Sequence, residues 1–355
     1  MPFYTWAIAL VSAFVVAYFS MPLVIKLAYR LGAIDQPDKR KVHQTAMPRM
    51  GGMAIFAAFV IIMLLLVKVS GPYAGIILGA SLVFIVGLLD DIYQLSAWTK
   101  LLGQIIAASV AIYFGVVIQF VNNPFDGMLA LGYLSIPLTF LWIVGITNAI
   151  NLIDGLDGLA AGVSTIAAFT MGIVALMQGQ QMVAITAFVL AAAILGFLPY
   201  NYHPARTFMG DSGSNFLGFT LACLAVTGVA KSTAVISLLL PIVILGIPIF
   251  DTFFAIFRRI YKKTPIFMPD KDHLHHRLLK LGFPHKTTVL IIYGISALFS
   301  LSAIVLSWLS NPKATLILPL LLLLLVVIGA SRIGMVTGQA KIPARVRNQG
   351  HEAKL

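Results

Sequence analysis

Six of the chain's twelve aspartates and glutamates lie in four short polar motifs, and each motif interrupts a long apolar sequence. Their carboxylate and amide oxygens are the ligands that Mg²⁺ and Mn²⁺ prefer. Such clusters are unfavourable in a chain that is 60% hydrophobic, so we expect them to form a metal-assisted active site. The motifs are the pair at 90–91, the run 148–158, the run 210–214 and the run 272–277.

The first motif is the adjacent pair Asp90 and Asp91, which follows an apolar run. Neighbouring carboxylates repel each other unless a cation or a proton lies between them. Negative charge at the C-terminal end of a helix also opposes the helix dipole. These two effects favour a functional pair over a solvated helix end. Lys100 opens the next apolar segment and could belong to this site or to the membrane interface.

The second motif places a polar residue at every third position, at Asn148, Asn151, Asp154 and Asp157. On a helix, residues spaced in this way lie on adjacent faces. The glycine after each aspartate would let the backbone approach a ligand. Asn151, Asp154 and Asp157 therefore offer oxygen ligands for a divalent ion, although a structural turn would use the same residue types.

The third motif, at 210–214, contains Asp211 among glycines and serines and directly precedes an expected helix. Small residues before a helix expose backbone N–H groups that bind anions, so Asp211 suggests a metal shared with a phosphate. An N-cap is the structural alternative. Asp251 lies in a later apolar segment, shortly after Pro248, which predicts a kink. An ionisable residue there predicts a functional position, with pairing to Arg258 or Arg259 as the alternative.

The fourth motif lies in the longest basic loop, where His273, His275 and His276 precede Arg277. A zinc site is disfavoured because no cysteine is near and the other acids are hard oxygen ligands. A solvated basic loop is a further alternative. We expect a cationic clamp on phosphate oxygens, because a guanidinium group can bind them through two parallel hydrogen bonds.

The overall composition predicts an all-α, polytopic integral membrane protein. Only 10% of the 355 residues are charged, against about 25% in soluble domains, and apolar runs of roughly 18 residues recur. We expect a single transmembrane catalytic domain at 1–330 and a basic cytoplasmic tail at 331–355. The eleven expected spans are 4–28, 53–69, 73–89, 101–120, 134–150, 159–177, 182–198, 215–229, 234–257, 288–309 and 314–330.

The distribution of charge predicts the orientation of these spans. Lysine and arginine concentrate in the longer loops, which the positive-inside rule places in the cytoplasm. The N-terminus is then outside and the C-terminus inside, and Asp126 is the acid that falls outside. The four motifs share the cytoplasmic face. In a membrane protein, the net charge of +12 reflects this topology rather than binding to nucleic acid.

Together, the ordered motifs resemble the polyprenyl-phosphate N-acetylhexosamine-1-phosphate transferases, glycosyltransferase family 4, over nearly the whole chain to about Pro284. The resemblance implies transfer of a sugar 1-phosphate from a UDP-sugar to a polyprenyl phosphate, with release of UMP. It also implies Mg²⁺ or Mn²⁺ as cofactor and a bacterial plasma membrane location, with a homodimer as one assembly to consider. Direct attack by the lipid phosphate is expected, and a covalent aspartyl-phosphate route remains open.

Two bacterial branches of this family differ in the donor. One uses UDP-N-acetylglucosamine for teichoic acid, O-antigen or similar polymers, and the other uses UDP-N-acetylmuramoyl-pentapeptide for peptidoglycan. The basic loop with Arg40, Lys41, His43 and Arg49, and the arginine at 277 after the histidines, resemble the first branch. We therefore expect UDP-N-acetylglucosamine and undecaprenyl phosphate as substrates.

The resemblance also implies roles for single residues. Asp211 matches the metal ligand, with Asn151 as a second contact, and Asp90 matches the residue that deprotonates the lipid phosphate. The other essential acids are Asp91, Asp154 and Asp157. The implied substrate-binding residues are Lys100, Asn148, Asn151, Arg40, Lys41, His43, Arg49, Asp251, His273, His275, His276 and Arg277.

Two other classes of membrane protein agree less well with the sequence than this enzyme. A secondary transporter would carry its ionisable groups near the bilayer midplane, at broken helices, whereas the motifs here lie at segment ends. A non-catalytic membrane scaffold gives no reason for the clustered Asp and Asn residues. Both are therefore disfavoured.

Overall fold

The computed structural model describes residues 3–36, 46–67, 69–122, 128–229, 239–264, 272–308 and 312–334. Within them the chain forms thirteen α-helices and two pairs of short antiparallel strands. The strands are β1 (Ile34–Asp35) with β2 (Met47–Pro48), and β3 (Phe120–Asn122) with β4 (Met128–Ala130). The helices are α1 (Phe3–Leu31), α2 (Gly52–Leu66), α3 (Pro72–Tyr93), α4 (Ala97–Tyr113), α5 (Ser135–Ile153), α6 (Leu159–Met177), α7 (Gln181–Asn201), α8 (Gly210–Val229), α9 (Leu239–Ile244), α10 (Gly246–Tyr261), α11 (Leu274–Lys280), α12 (His285–Trp308) and α13 (Pro312–Arg332).

The helices confirm a helical membrane protein. Among the described residues, six helices are long and apolar enough to cross a membrane, namely α1, α3, α5, α6, α7 and α12. Helices α2 and α4 and most of α13 are apolar but shorter. Large apolar side chains such as Phe19, Leu65 and Leu141 are exposed on the outer surface, where lipid can cover them. The count of eleven spans and their orientation remain predictions.

Helix α8 is the central helix of the bundle. Its side chains from 212 to 228 are all buried, and it packs against α2, α3, α5 and α6. Small residues make these close crossings feasible. A Cβ on Gly213 would collide with Cα of Gly52 on α2, and a Cβ on Gly218 would lie 2.7 Å from Cα of Thr147 on α5. Close helix crossings through small residues are typical of membrane proteins.

Two expected spans differ from the structure. The span predicted at 101–120 is too long, because α4 ends at Tyr113 and Phe120 belongs to β3. Gly115 then adopts a positive φ of 96°, which ends the helix, and the β-branched residues that follow favour extended backbone. The prediction of an all-α fold agrees with the mostly helical structure, but it did not include the short strand pairs β1–β2 and β3–β4.

The span predicted at 234–257 is broken within its described part. Helix α9 ends at Ile244 and α10 begins at Gly246. Pro248 has no N–H to donate to the carbonyl of Ile244, so the helix cannot continue regularly through this point. The kink expected from Pro248 is therefore confirmed, and it takes the form of a one-residue interruption at Leu245 between α9 and α10.

Two polar motifs lie in helices rather than in loops. The run 210–214 was expected to precede a helix, but it forms the first turn of α8, which begins at Gly210. The histidine motif was expected in an irregular loop, but most of it lies on the short helix α11. Of the tail expected at 331–355, the structure describes only the residues up to 334.

Candidate active site

A lysine lies between two carboxylates at one end of the bundle. The Nζ atom of Lys100 donates hydrogen bonds to Oδ2 of Asp211 at 2.7 Å and to Oδ2 of Asp90 at 3.2 Å. Asp90 lies on the last turn of α3, Lys100 on the first turn of α4 and Asp211 on the first turn of α8. The side chains of Lys100 and Asp211 remain 27% and 22% exposed, so a ligand can reach them. We call Asp90, Lys100 and Asp211 the charged centre.

Asp91 is engaged in a different way from Asp90. It accepts hydrogen bonds from Nε and Nη2 of Arg49, both at 3.2 Å. It also accepts from the backbone N–H groups of Asp211 and Ser212, at 2.8 and 3.0 Å, and from the Ser212 hydroxyl at 2.6 Å. Its side chain is fully buried. Asp91 therefore caps the N-terminus of α8 and holds Arg49 next to the charged centre.

Local backbone contacts place Arg49 and the start of α8 side by side. The N–H groups of Gly51 and Gly52 donate to the carbonyls of Phe208 and Met209, at 3.0 and 2.8 Å. In return, the N–H of Phe208 donates to the carbonyl of Pro48 at 2.8 Å. The segment before α2 is thus bonded along the segment before α8, which explains the need for the glycine pair at 51–52.

Glycine also lets α3 approach the start of α8. A Cβ on Gly87 would lie 2.5 Å from the carbonyl oxygen of Asp211. Gly210 has a φ of 78°, a conformation that residues with a side chain rarely adopt, and a Cβ there would collide with the carbonyl of Arg49. These two glycines allow the acids of α3 and α8 to share one centre.

The second motif lies beside this centre at the end of α5. Asn151 donates from Nδ2 to the hydroxyl of Ser214 at 2.8 Å, which ties α5 to the first turn of α8. Asp154 follows the helix end and is half-buried. Burial, together with the negative charges of Asp211 and Asp91, raises the pKa of Asp154 to about 8. Asp154 therefore keeps its proton at neutral pH in the substrate-free protein.

This donor set fits a divalent cation. Asp211 and Asp90 offer carboxylate oxygens, and Asn151 offers an amide oxygen, which are ligands suited to Mg²⁺ or Mn²⁺. The raised pKa of Asp154 indicates that an additional positive charge would be stabilised there. Asn148, by contrast, lies one turn deeper, where its amide bonds to Gln104 at 2.7 Å.

Asp157 belongs to a separate cluster with two histidines that the sequence motifs did not indicate. Its Oδ2 lies 2.8 Å from Nδ1 of His203, and its backbone N–H donates to Nε2 of His285 at 3.2 Å. The two imidazole rings stack with centroids 4.2 Å apart. Ligand atoms of these three residues lie within 4.8 Å of one another. His203 and His285 stand alone in the sequence, so only the fold brings them to Asp157.

Asp251 is paired with a histidine and not with either arginine considered as its alternative partner. It lies 2.9 Å from Nδ1 of His273 and accepts from the backbone N–H of Leu274 at 2.8 Å. Arg258, one of these arginines, has its Nε 3.9 Å from Asp272. Asp251 thus caps α11 and fixes the histidine motif against α10.

His275 points from α11 toward the turn that follows Asp154. It is buried, and its Nε2 has no hydrogen-bond partner within the described part of the chain. A Cβ on Gly155 would lie 2.5 Å from this nitrogen, so the glycine makes room for the imidazole. Burial lowers the pKa of His275 to about 3, which keeps the ring neutral. His276 packs against it, with ring centroids 4.2 Å apart.

Arg277 lies in a basic cluster around a single acid. Its Nη2 is 3.0 Å from Oδ1 of Asp272, and Lys280 donates to the same oxygen at 2.7 Å. Lys262 and Arg258 lie 3.8 and 3.9 Å from Oδ2. Burial alone would raise the pKa of Asp272, but the Lys280 hydrogen bond and the surrounding cations outweigh it and lower the pKa. The cluster carries excess positive charge, as a site for phosphate oxygens requires.

The structure brings most of the expected site residues to one end of the bundle. The charged centre, Asp91, Arg49, Asn151 and Asp154 are close together, whereas Asp157 and the histidine motif form neighbouring clusters. Arg40, Lys41 and His43 lie outside the described residues. The sequence motifs gave no indication of Gln104, Asn215, His203 or His285.

Comparison with known proteins gives consistent matches. The sequence model of glycosyl transferase family 4 matches residues 73–229. The probable undecaprenyl-phosphate N-acetylglucosaminyl 1-phosphate transferase of Bacillus subtilis is 47% identical over 93% of both chains. The decaprenyl-phosphate N-acetylglucosaminephosphotransferase of Mycobacterium tuberculosis H37Rv is 38% identical over 86% of this chain and 83% of its own. The undecaprenyl-phosphate alpha-N-acetylglucosaminyl 1-phosphate transferase of Escherichia coli K12 is 28% identical over 82% and 81%.

Proposed function

Because the chain belongs to glycosyl transferase family 4, we propose that it transfers N-acetylglucosamine 1-phosphate from UDP-N-acetylglucosamine to undecaprenyl phosphate. The products are undecaprenyl-diphosphate-N-acetylglucosamine and UMP, in the first membrane step of a cell-envelope polysaccharide. The observation that carries this proposal is the convergence of Asp90, Lys100 and Asp211, which all lie inside the matched range 73–229. The names of the relatives support the donor sugar.

The reaction requires two anionic phosphates to approach each other, so positive charge has to offset their repulsion. Phosphoryl transfer depends mostly on such positioning and charge stabilisation. Lys100 and Arg49 supply side-chain charge at the site. The helices α2, α4 and α8 all begin there, and helix N-termini attract anions.

We propose that Asp211 and Asn151 would hold a divalent ion, Mg²⁺ or Mn²⁺, which would offset charge on the donor diphosphate. The negative charges of Asp211 and Asp91 contribute, after burial, to the raised pKa of Asp154, and a cation nearby would offset them. Lys100, which is hydrogen-bonded to Asp211 in this structure, then turns its ammonium group toward phosphate oxygens.

Asp90 is the candidate for accepting the proton of the acceptor phosphate. Its side chain is paired with Lys100 in the charged centre, and, unlike Asp91, it is not bonded to backbone N–H groups of α8. The same hydrogen bonds make Asp91 unsuitable as a nucleophile. We therefore favour direct attack of the lipid phosphate on the β-phosphorus of the donor, with the covalent aspartyl-phosphate route as the alternative.

The lipid acceptor needs a path from the bilayer to this site. Helix α10 has an exposed apolar face that includes Phe253, Phe257 and Ile260, while its buried side carries Asp251. We propose that the polyprenyl tail lies along this face. The donor is a soluble nucleotide, so we place the site on the cytoplasmic side of a bacterial plasma membrane, in agreement with the charge of the long loops.

A panel of donors tests the proposed specificity. Purified protein with undecaprenyl phosphate and Mg²⁺ is given UDP-N-acetylglucosamine or UDP-N-acetylmuramoyl-pentapeptide, and the lipid product is measured. Asp211→Asn protein serves as the control for background. We expect product only from the first donor, and a preference for the pentapeptide donor would assign the chain to the peptidoglycan branch.

A further inference from the structure

Three amide side chains form a layer one helical turn below the charged centre. Gln104 follows Lys100 by four residues on α4, and Asn215 follows Asp211 by four residues on α8. Residues four apart lie on the same helix face. The third amide, Asn148, lies on α5 near its C-terminal end. We call Gln104, Asn148 and Asn215 the amide layer.

The amide layer is a connected hydrogen-bond network. Nε2 of Gln104 donates to Oδ1 of Asn215 at 2.9 Å and to Oδ1 of Asn148 at 3.4 Å. In return, Oε1 of Gln104 accepts from Nδ2 of Asn148 at 2.7 Å. Gln104 and Asn215 are each 4% exposed. Because a buried amide without partners is unfavourable, this arrangement strongly prefers one relative position of the three helices.

Each asparagine of the layer is also anchored to its own helix. Nδ2 of Asn215 donates to the carbonyl oxygen of Asp211 at 2.7 Å, and Nδ2 of Asn148 donates to the carbonyl of Val144 at 2.8 Å. These bonds fix the direction in which each side chain points. Gln104 is therefore linked to the backbone of Asp211 through the side chain of Asn215.

Helices α4 and α8 are joined at two levels. Both pack against α3 and α5. At the level of the charged centre, α4 and α8 are joined by the ion pair between Lys100 and Asp211, at 2.7 Å. One turn deeper they are joined by the hydrogen bond between Gln104 and Asn215. During the proposed reaction the ion pair must open, because Lys100 turns to phosphate and Asp211 to a cation. The deeper bond can persist.

We propose that Gln104 is a positioning residue for the transfer reaction, which holds α4, α5 and α8 in register when the ion pair between Lys100 and Asp211 opens. This inference rests on the proposed function. Apolar residues of similar shape could fill the same space with little loss of stability, but they would not select one helix register. A misplacement of about 1 Å by a distant substitution can lower a rate about 100-fold.

The first test is kinetic. Gln104→Leu removes all three hydrogen bonds of the side chain, and Thr220→Val is the matched control, because Thr220 is buried on α8 and donates only within its helix, to Phe216. We expect Gln104→Leu to lower kcat about 10-fold or more while KM for both substrates changes less than about 3-fold. Its melting temperature should fall further than that of the control, because Asn148 and Asn215 each lose a buried partner, so kcat and KM are measured well below that temperature.

The double variant Gln104→Leu/Asn215→Leu should have nearly the kcat of Gln104→Leu alone, because the layer acts as a unit. Should Gln104→Leu not fold, Asn215→Ala removes a single link and should still lower kcat by about 3-fold or more. An unchanged kcat, a rise in KM alone, or an equal loss in Thr220→Val would each overturn the proposal.

The second test does not depend on the proposed reaction. Hydrogen exchange of the substrate-free protein is measured at the first turns of α4 and α8. We expect faster exchange there in Gln104→Leu and unchanged exchange in Thr220→Val. If the wild type makes no product from the donor panel and this change is still seen, the proposed function fails and the helix link stands. If the wild type is active and both exchange and kcat are unchanged, the role of Gln104 is wrong.

Discussion

Substitutions of Asp91 on α3 and of Asp211 on α8 should differ sharply in their effects on stability and turnover. Asp91 is buried and accepts five hydrogen bonds, from Arg49, Asp211 and Ser212. In Asp91→Asn the new amide nitrogen replaces one of the two acceptor oxygens, so either the three bonds at Oδ1 or the N–H bond of Ser212 at Oδ2 is lost. The bonds that remain lose the charge of their acceptor. At about 1.5–3 kcal/mol for each bond to a charged group, we expect a destabilisation of about 3–5 kcal/mol.

Asp211→Asn should behave in the opposite way. Its side chain is partly exposed and its partner Lys100 is too, so the pair contributes about 1 kcal/mol or less. The substitution also relieves repulsion with Asp90. Turnover should nevertheless fall by about 100-fold or more, because the proposed metal ligand loses its charge.

The assay compares the melting temperature of the two variants in detergent without ligand, and their turnover at low temperature. We expect Asp91→Asn to melt about 6 °C or more below wild type, at about 2 °C or more for each kcal/mol, and Asp211→Asn to melt close to it. If Asp91→Asn is inactive but melts at the wild-type temperature, Asp91 takes part in the reaction itself and the structural role assigned to it is wrong. A large loss of stability in Asp211→Asn would refute the division of roles.

Three further predictions concern charge, packing and topology. The pKa of Asp154 is about 8 in the folded chain and about 3.9 when unfolded, so the folded state holds an extra proton between these values. Stability of the substrate-free protein should therefore fall as pH rises from about 5 to 8, and thermal melts of Asp154→Asn should show a flatter dependence. Gly213→Ala should destabilise the protein by about 1–3 kcal/mol or more, because its Cβ would overpack against α2. Gly294→Ala is the control: no atom lies within 4 Å of its Cβ, so it should be neutral or stabilise the protein by up to about 1 kcal/mol. Chemical denaturation measures both changes. A cysteine introduced near Asp126, which is outside the described residues, should react with an impermeant label on intact cells. A cysteine near His273 should not react, and labelling there would contradict the predicted orientation.

The sequence was sufficient to predict that the protein is a helical membrane protein and that Asp90 and Asp211 lie in one site. Charged residues are excluded from apolar spans, so their positions at span ends are visible in the sequence. Asp90, Lys100 and Asp211 were all expected at the site, and the structure joins them directly. The break near Pro248 was predictable as well, because proline lacks an N–H group.

Contacts between distant segments could not be predicted in the same way. Asp91 caps a helix that begins 119 residues later, and no local pattern indicates such a partner. His203 and His285 are isolated in the sequence, and Gln104 lies inside an apolar helix. Its spacing of four residues from Lys100 was the one available signal. The strands β3 and β4 were missed because each is only three residues long, which is too short to show an alternating pattern in the sequence.

The most direct test of the proposed reaction is its stoichiometry. Purified protein with Mg²⁺ is given UDP-N-acetylglucosamine carrying a labelled sugar, with or without undecaprenyl phosphate, and both UMP and labelled lipid are measured. The charged centre predicts equal amounts of UMP and lipid-linked sugar, formed only when both substrates are present and lost in Asp211→Asn. Release of UMP without lipid acceptor, or turnover that survives in Asp211→Asn, would contradict the proposed direct, metal-assisted transfer.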